Sequence, residues 1–140
     1  MSDYTASVDV VAPPARVWGV LVDVERWHEW TETVLSAKRL DAGPLAPGAR
    51  TRMVQPELRP AVWQVTELNQ AEGVFVWVSR NPGIDAIAGH FVAPTPAGTR
   101  VTLTVQFSGV LAPLVRLAQG KKTQEYIRTE AARLKVRSET

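Results

Sequence analysis

The chain holds two histidines and no cysteine, and His90 is the histidine best placed for proton transfer. It lies in Gly89-His90-Phe91, within a stretch expected to form a strand, and imidazole is the side chain whose charge changes nearest neutral pH. Arg52 is the companion candidate, sharing a strand phase with Arg50 and Val54, and its fork of donors suits an enolate or carboxylate oxygen. A base that removes an acidic α-proton, with a cation that stabilises the enolate, would suit an aldol-type ring closure followed by dehydration. That chemistry requires both groups to converge inside one cavity. The competing readings are a hydrogen-bonded structural histidine and an arginine on the exposed face of a strand. Asp85 and Tyr126 are further candidate partners whose faces strand and helix phase leave open. His28, between Trp27 and Trp30, is expected to be exposed.

Residue types exclude other chemistries. Without cysteine there is neither disulfide nor thiol catalysis, and two distant histidines do not make a zinc centre. No Walker loop, dinucleotide fingerprint or Gly-x-Ser-x-Gly elbow occurs. Neither a metal nor a cofactor is expected, and the scattered acids form no recognisable catalytic pair. Sixteen basic against fourteen acidic residues leave a net charge of +2. Basic residues do gather at Arg128, Arg133, Lys135 and Arg137, but Glu125, Glu130 and Glu139 are interleaved with them. That mixture reads as a solvated helix face rather than a nucleic-acid surface. The start, MSDYTASVDV, lacks the basic and apolar blocks of a signal peptide, and no apolar run reaches membrane-spanning length. A cytoplasmic protein without integral membrane association is the expectation.

The elements that must position these residues follow from hydrophobic period. With 140 residues, 45% hydrophobic and 21% charged, one globular domain over residues 1–140 is expected. Residues 4–11 alternate as a first strand. In Val11 to Trp30, VAPPARVWGVLVDVERWHEW, Pro13 and Pro14 stand where a helix can begin. Val17, Trp18, Leu21 and Val22 share a face, and Asp23 offers a side-chain cap to a second short helix bearing Trp27 and Trp30. Strands are expected at 33–40, 50–55, 62–68, 74–80, 84–92 and 99–108, separated by turns such as DAGPLAPG and PELRP. Short gaps between the later strands imply an antiparallel meander. From Leu111 the period becomes helical, with Leu117, Gly120, Gln124, Ile127, Ala131 and Leu134 forming an inward stripe. An α+β architecture results: a curved seven-stranded antiparallel sheet around a long C-terminal helix, with two short helices after the first strand plugging one end.

APPARVWGVLVDVERWHEW, with its small-Pro pair, Val-Trp, helix-closing Asp and later Trp, resembles the opening of the polyketide cyclase/dehydrase group. That group falls within the START-like, Bet v 1-like (SRPBCC) superfamily. Pro47-Gly48, Gly89-His90-Phe91, Gly98-Thr99-Arg100-Val101 and Glu130-Ala131-Ala132 with Leu134-Lys135 extend the resemblance over nearly the whole chain. It implies a helix-grip fold enclosing a deep cavity that holds lipids, polyketides, hormones or other apolar molecules.

Two features of the residues point the same way. Trp63 and Trp77 fall on strand faces that, if inward, would wall an apolar pocket, although core packing explains tryptophans equally. Gly120 and Gln124 interrupt the helix stripe: glycine costs about 1 kcal/mol relative to alanine there, and a buried glutamine needs partners. A cavity beneath the helix would explain both, as would a bend at Gly120. The expected lining is therefore Trp63, Trp77, His90, Leu103, Gly120, Gln124 and Ile127. The expected partner is a small hydrophobic or aromatic molecule, with no nucleic acid. A polyketide cyclase or aromatase is the alternative, and a lipid carrier the third. Val74, Val76 and Val78 make the other face of strand five apolar too, which suits either a homodimer or valine's strand preference alone.

Overall fold

A computed structural model describes residues 2–140. Seven strands, β1 (Tyr4–Val10), β2 (Ser36–Arg39), β3 (Arg50–Val54), β4 (Ala61–Asn69), β5 (Val74–Asn81), β6 (Ile84–Thr95) and β7 (Gly98–Ser108), form one sheet. Their order is β1-β7-β6-β5-β4-β3-β2, and every pairing is antiparallel. Between β1 and β2 lie helix α1 (Pro14–Val22) and a 3-10 helix (Val24–Glu29), and α2 (Ala112–Glu139) closes the chain. The expected seven-stranded grip is present. Among the described residues no helix is long and apolar enough to cross a membrane.

Pro14 occupies the first turn of α1, where its missing N–H costs nothing. Val17, Trp18, Val20 and Leu21 are buried. Asp23 makes no side-chain cap to the 3-10 helix; its carboxylate faces Arg26 at 3.4 Å instead. The expected cap is thus replaced by an exposed ion pair one turn into the helix.

Alternation decides which side chains face inward. Thr51 and Met53 on β3, Phe75 and Trp77 on β5, and Val101, Leu103, Val105 and Phe107 on β7 are all buried. Arg50 and Arg52 occupy the opposite phase and are exposed. Register then carries the inner face across the sheet: Thr51 lies opposite Trp63, Val65 opposite Trp77, Phe75 opposite His90, and His90 opposite Leu103.

α2 packs against β1 and β7, and its stripe divides in two. In the second half Ile127, Ala131 and Leu134 are buried as expected. In the first half Leu117 is 85% exposed, correcting its place in the stripe. A Cβ on Gly120 would stand 2.6 Å from the Tyr4 hydroxyl, so the glycine permits close approach to β1. Gln124 donates to the Thr5 carbonyl at 3.1 Å. These two departures fasten helix to strand rather than facing a ligand. Lys135 donates to the Asp9 carbonyl, and Glu139 accepts the Val11 N–H. The β3–β4 loop is tied to α2 as well, by the Lys122–Glu57 ion pair at 2.9 Å and by the Tyr126 hydroxyl on the Pro56 carbonyl.

The β4–β5 turn depends on Gly73, whose φ is +69° and whose would-be Cβ lies 2.0 Å from the Val92 carbonyl oxygen. That oxygen cannot withdraw freely, because the Val92 N–H donates to the Gly73 carbonyl at 2.8 Å. Gly73→Ala is expected to destabilise the fold by roughly 2 kcal/mol, combining a disfavoured φ with the backbone clash. Urea unfolding would measure this; an unchanged midpoint would show that the turn relaxes.

Candidate functional site

The inner sheet face gathers a continuous aromatic group. Trp63 on β4 packs on Trp77 of β5 at 5.7 Å between ring centroids, and Trp77 packs on Phe75 at 4.9 Å. The 3-10 helix inserts Trp27 from the end of the grip, 5.4 Å from Trp77 and 5.6 Å from Trp30. Its indole N–H is satisfied by the Leu21 carbonyl at 2.9 Å, which fixes the ring's orientation. Trp27 and Trp77 are 2% exposed and Phe75 is fully buried.

His90 sits in the middle of this group. Its ring stacks on Phe75 at 4.6 Å and meets Trp27 and Trp77 edge-on at 5.6 and 5.9 Å. Nδ1 lies 2.9 Å from the Phe75 carbonyl oxygen. A carbonyl can only accept, so Nδ1 carries the proton and Nε2 keeps its lone pair. Nε2 faces Oε1 of Glu130, on α2, at 3.9 Å. Both side chains are almost fully buried. Burial pushes the Glu130 carboxyl up to about 8 and the His90 imidazole down to about 4, against a smaller opposing effect from the Phe75 hydrogen bond. Desolvation disfavours the charged form of each. Near neutral pH the pair is a protonated carboxyl beside a neutral imidazole: one proton to give and one lone pair to take it.

Of the residues expected at the site, His90, Trp77 and Leu103 meet on the inner face, with Trp63 half-buried at its edge. Ile127 lies one helical turn before Glu130 and is buried with it. Arg52 does not join His90: its strand phase points it outward, so no arginine from that position meets the imidazole. Gly120 and Gln124 belong to the contact with β1. Tyr126 is engaged by the β3–β4 loop, and Asp85 lies at the start of β6 opposite Arg80. His28 is exposed.

Glu130 is the residue that sequence reasoning missed by grouping it with Glu125 and Glu139 on a solvated face. Those two are exposed or nearly so; Glu130 is not. Its position carried the signal, because 127, 130, 131 and 134 follow the i, i+3, i+4, i+7 spacing of a buried helical face. An acid within that spacing is a buried acid, and a buried acid needs a reason. Trp27, too, packs directly against the imidazole.

Comparison with known proteins agrees with this architecture. The profile of the family described as polyketide cyclase/dehydrase and lipid transport matches residues 1–139. No curated protein matches the chain. Among solved structures, TTHA0849 from Thermus thermophilus aligns at 21% identity over 96% of this chain and 95% of its own, with a TM-score of 0.77. The hypothetical protein jhp0584 from Helicobacter pylori aligns at 13% identity over 96% and 86%, with a TM-score of 0.83. The Zhui aromatase/cyclase from Streptomyces sp. R1128 aligns at 18% identity over 96% and 92%, with a TM-score of 0.78. At such identities the structural likeness is one of fold, and it is the full-length family match that places the protein: the chain belongs to the polyketide cyclase/dehydrase and lipid transport family.

Proposed function

We propose that this protein binds a small apolar or aromatic molecule between the sheet and α2. Its flat faces would lie against Trp63, Trp77, Phe75 and Trp27, and a polar group would meet His90 and Glu130. The observation that carries this is the uninterrupted aromatic wall around a buried, uncharged His–Glu pair. Aromatic surface supplies affinity for planar ligands, and a few fixed polar atoms supply orientation. Native mass spectrometry of freshly purified protein tests it. The expected result is a noncovalent small-molecule adduct, or a raised Tm when a planar aromatic such as 2-acetylnaphthalene is added at saturating concentration. Protein that is free of adduct and whose Tm no planar aromatic moves would overturn it. An adduct with the mass of a lipid would instead favour a carrier.

The His90–Glu130 geometry favours one second reading, a cyclase or aromatase. In an aldol-type closure His90 Nε2 would take the α-proton, and Glu130 would protonate the oxygen on which charge develops. Binding in the grip would supply the proximity of the two reacting carbons. Exposed Arg52 has no part in this scheme. His90→Gln separates the two readings. A pure binding protein should keep its ligand affinity within about threefold, the change expected from one neutral hydrogen bond. A cyclase should bind as before and lose turnover by about 10²-fold or more, the contribution of a positioned acid or base.

A further inference from the structure

The inner sheet face holds a second pair of buried polar atoms, away from His90 and Glu130. Thr51 Oγ1 and Trp63 Nε1 are both shielded from solvent, and neither has a hydrogen-bond partner. Among the described residues only Arg39 Nε and Ser138 Oγ share that condition, and Arg39 already uses its other nitrogens on the Gly43 and Pro44 carbonyls. Thr51 and Trp63 are directly opposed across β3 and β4. Thr51 is fully buried, while part of the Trp63 ring remains accessible. Buried donors are seldom left unpaired, because each loses its water without compensation. Two of them at one cross-strand position form a built feature.

Their surroundings narrow the chemistry. α2 covers β1 and β7 while the 3-10 helix packs against β2, so the inner faces of β3 and β4 lie between these two covers. Trp63 leads by way of Trp77 to His90, in steps of 5.7 and 5.9 Å. A threonine hydroxyl and an indole N–H both donate, and a carbonyl oxygen has two lone pairs to accept them. A carboxylate would call for a cation, and Arg52, next along the strand, points away.

We propose that Thr51 and Trp63 form a carbonyl-binding subsite that takes the ketone or quinone oxygen of a flat, fused-ring ligand lying along the Trp63–Trp77 wall. The subsite rests on the binding function proposed above and adds to it a second polar anchor, remote from His90 and Glu130, and with it the ligand's orientation. The end of the ligand remote from that oxygen points toward His90.

Isothermal titration calorimetry with 2-acetylnaphthalene and with 2-ethylnaphthalene, which has the same ring but no oxygen, tests the subsite. Wild-type protein is expected to bind the ketone roughly three- to tenfold more tightly, the range of one or two neutral hydrogen bonds. Thr51→Val should bring the ketone's affinity down toward the hydrocarbon's and leave the hydrocarbon's unchanged. Trp63→Phe should weaken binding of both compounds by trimming the aromatic face, and of the ketone by the larger factor because it also loses the indole N–H. In the unliganded protein Thr51→Val should also raise Tm, because it removes an unpaired buried hydroxyl. Equal binding of the two compounds to wild type would overturn the subsite while the aromatic-binding function stands. So would a Tm that falls in Thr51→Val, since the hydroxyl would then have a structural partner. Binding of neither compound would overturn both.

Discussion

Replacing Trp27 by alanine is expected to destabilise the protein by about 3–5 kcal/mol, the cost of deleting a large aromatic from a packed core. Whole domains of this size have only about 5–15 kcal/mol of stability, so the variant should be close to unfolding at physiological temperature. The effect should be large because Trp27 joins three parts of the molecule. Its ring touches Trp30 beside it, Trp77 on β5 and His90 on β6, and its N–H holds the end of α1 through the Leu21 carbonyl. Trp27→Phe should recover much of the packing yet leave that carbonyl without its donor, for a loss of roughly 1–3 kcal/mol. Urea unfolding at constant m-value would read both. A loss under about 1 kcal/mol in Trp27→Ala would mean that the plug and the sheet are held together elsewhere.

Stability should fall as pH rises from about 6.5 to 8, and Glu130→Gln should abolish the fall. The sign follows from which state holds the proton. Folding raises the Glu130 carboxyl from 4.5 to about 8. Between those values the folded protein keeps a proton that the unfolded chain has released, so rising pH favours unfolding. Folding lowers the His90 imidazole from 6.5 to about 4. Between those values the unfolded chain holds the extra proton, so rising pH favours folding. From 4.5 to 6.5 the two slopes oppose each other and stability should be nearly level. Above 6.5 only Glu130 of this pair still titrates differently in the two states, and roughly 2 kcal/mol should be lost by pH 8. Tm measured against pH for wild type and Glu130→Gln checks this, the difference between the curves isolating the carboxyl. Parallel curves would show that Glu130 is already ionised at neutral pH.

The frame of this molecule was legible because alternation and helical spacing are local properties. β7 shows this best: Val101, Leu103, Val105 and Phe107 alternate with polar residues in the sequence and face inward in the fold. The site was legible in part. His90, Trp63 and Trp77 could be named because they sit on strands whose inner phase is readable. Their meeting with Glu130 and Trp27 could not, since it depends on how α2 crosses the sheet and how far the 3-10 helix reaches into the end of the grip. Gly120 misled for a related reason. A small residue facing inward leaves space that either a ligand or a neighbouring side chain can fill, and only tertiary structure shows that Tyr4 fills it.

The fastening of α2 along β1 also governs what the sheet can do with other chains. β1 is an end strand, and such an edge ordinarily offers unpaired backbone groups to any extended segment that meets it. Here Gln124 and Lys135 occupy the carbonyls of Thr5 and Asp9, and Glu139 takes the amide of Val11 just beyond the strand. At the opposite edge β2 runs only from Ser36 to Arg39, and Glu25 accepts the Arg39 N–H. Polar side chains from helices thus occupy part of each border, which hinders the addition of a further strand at either end.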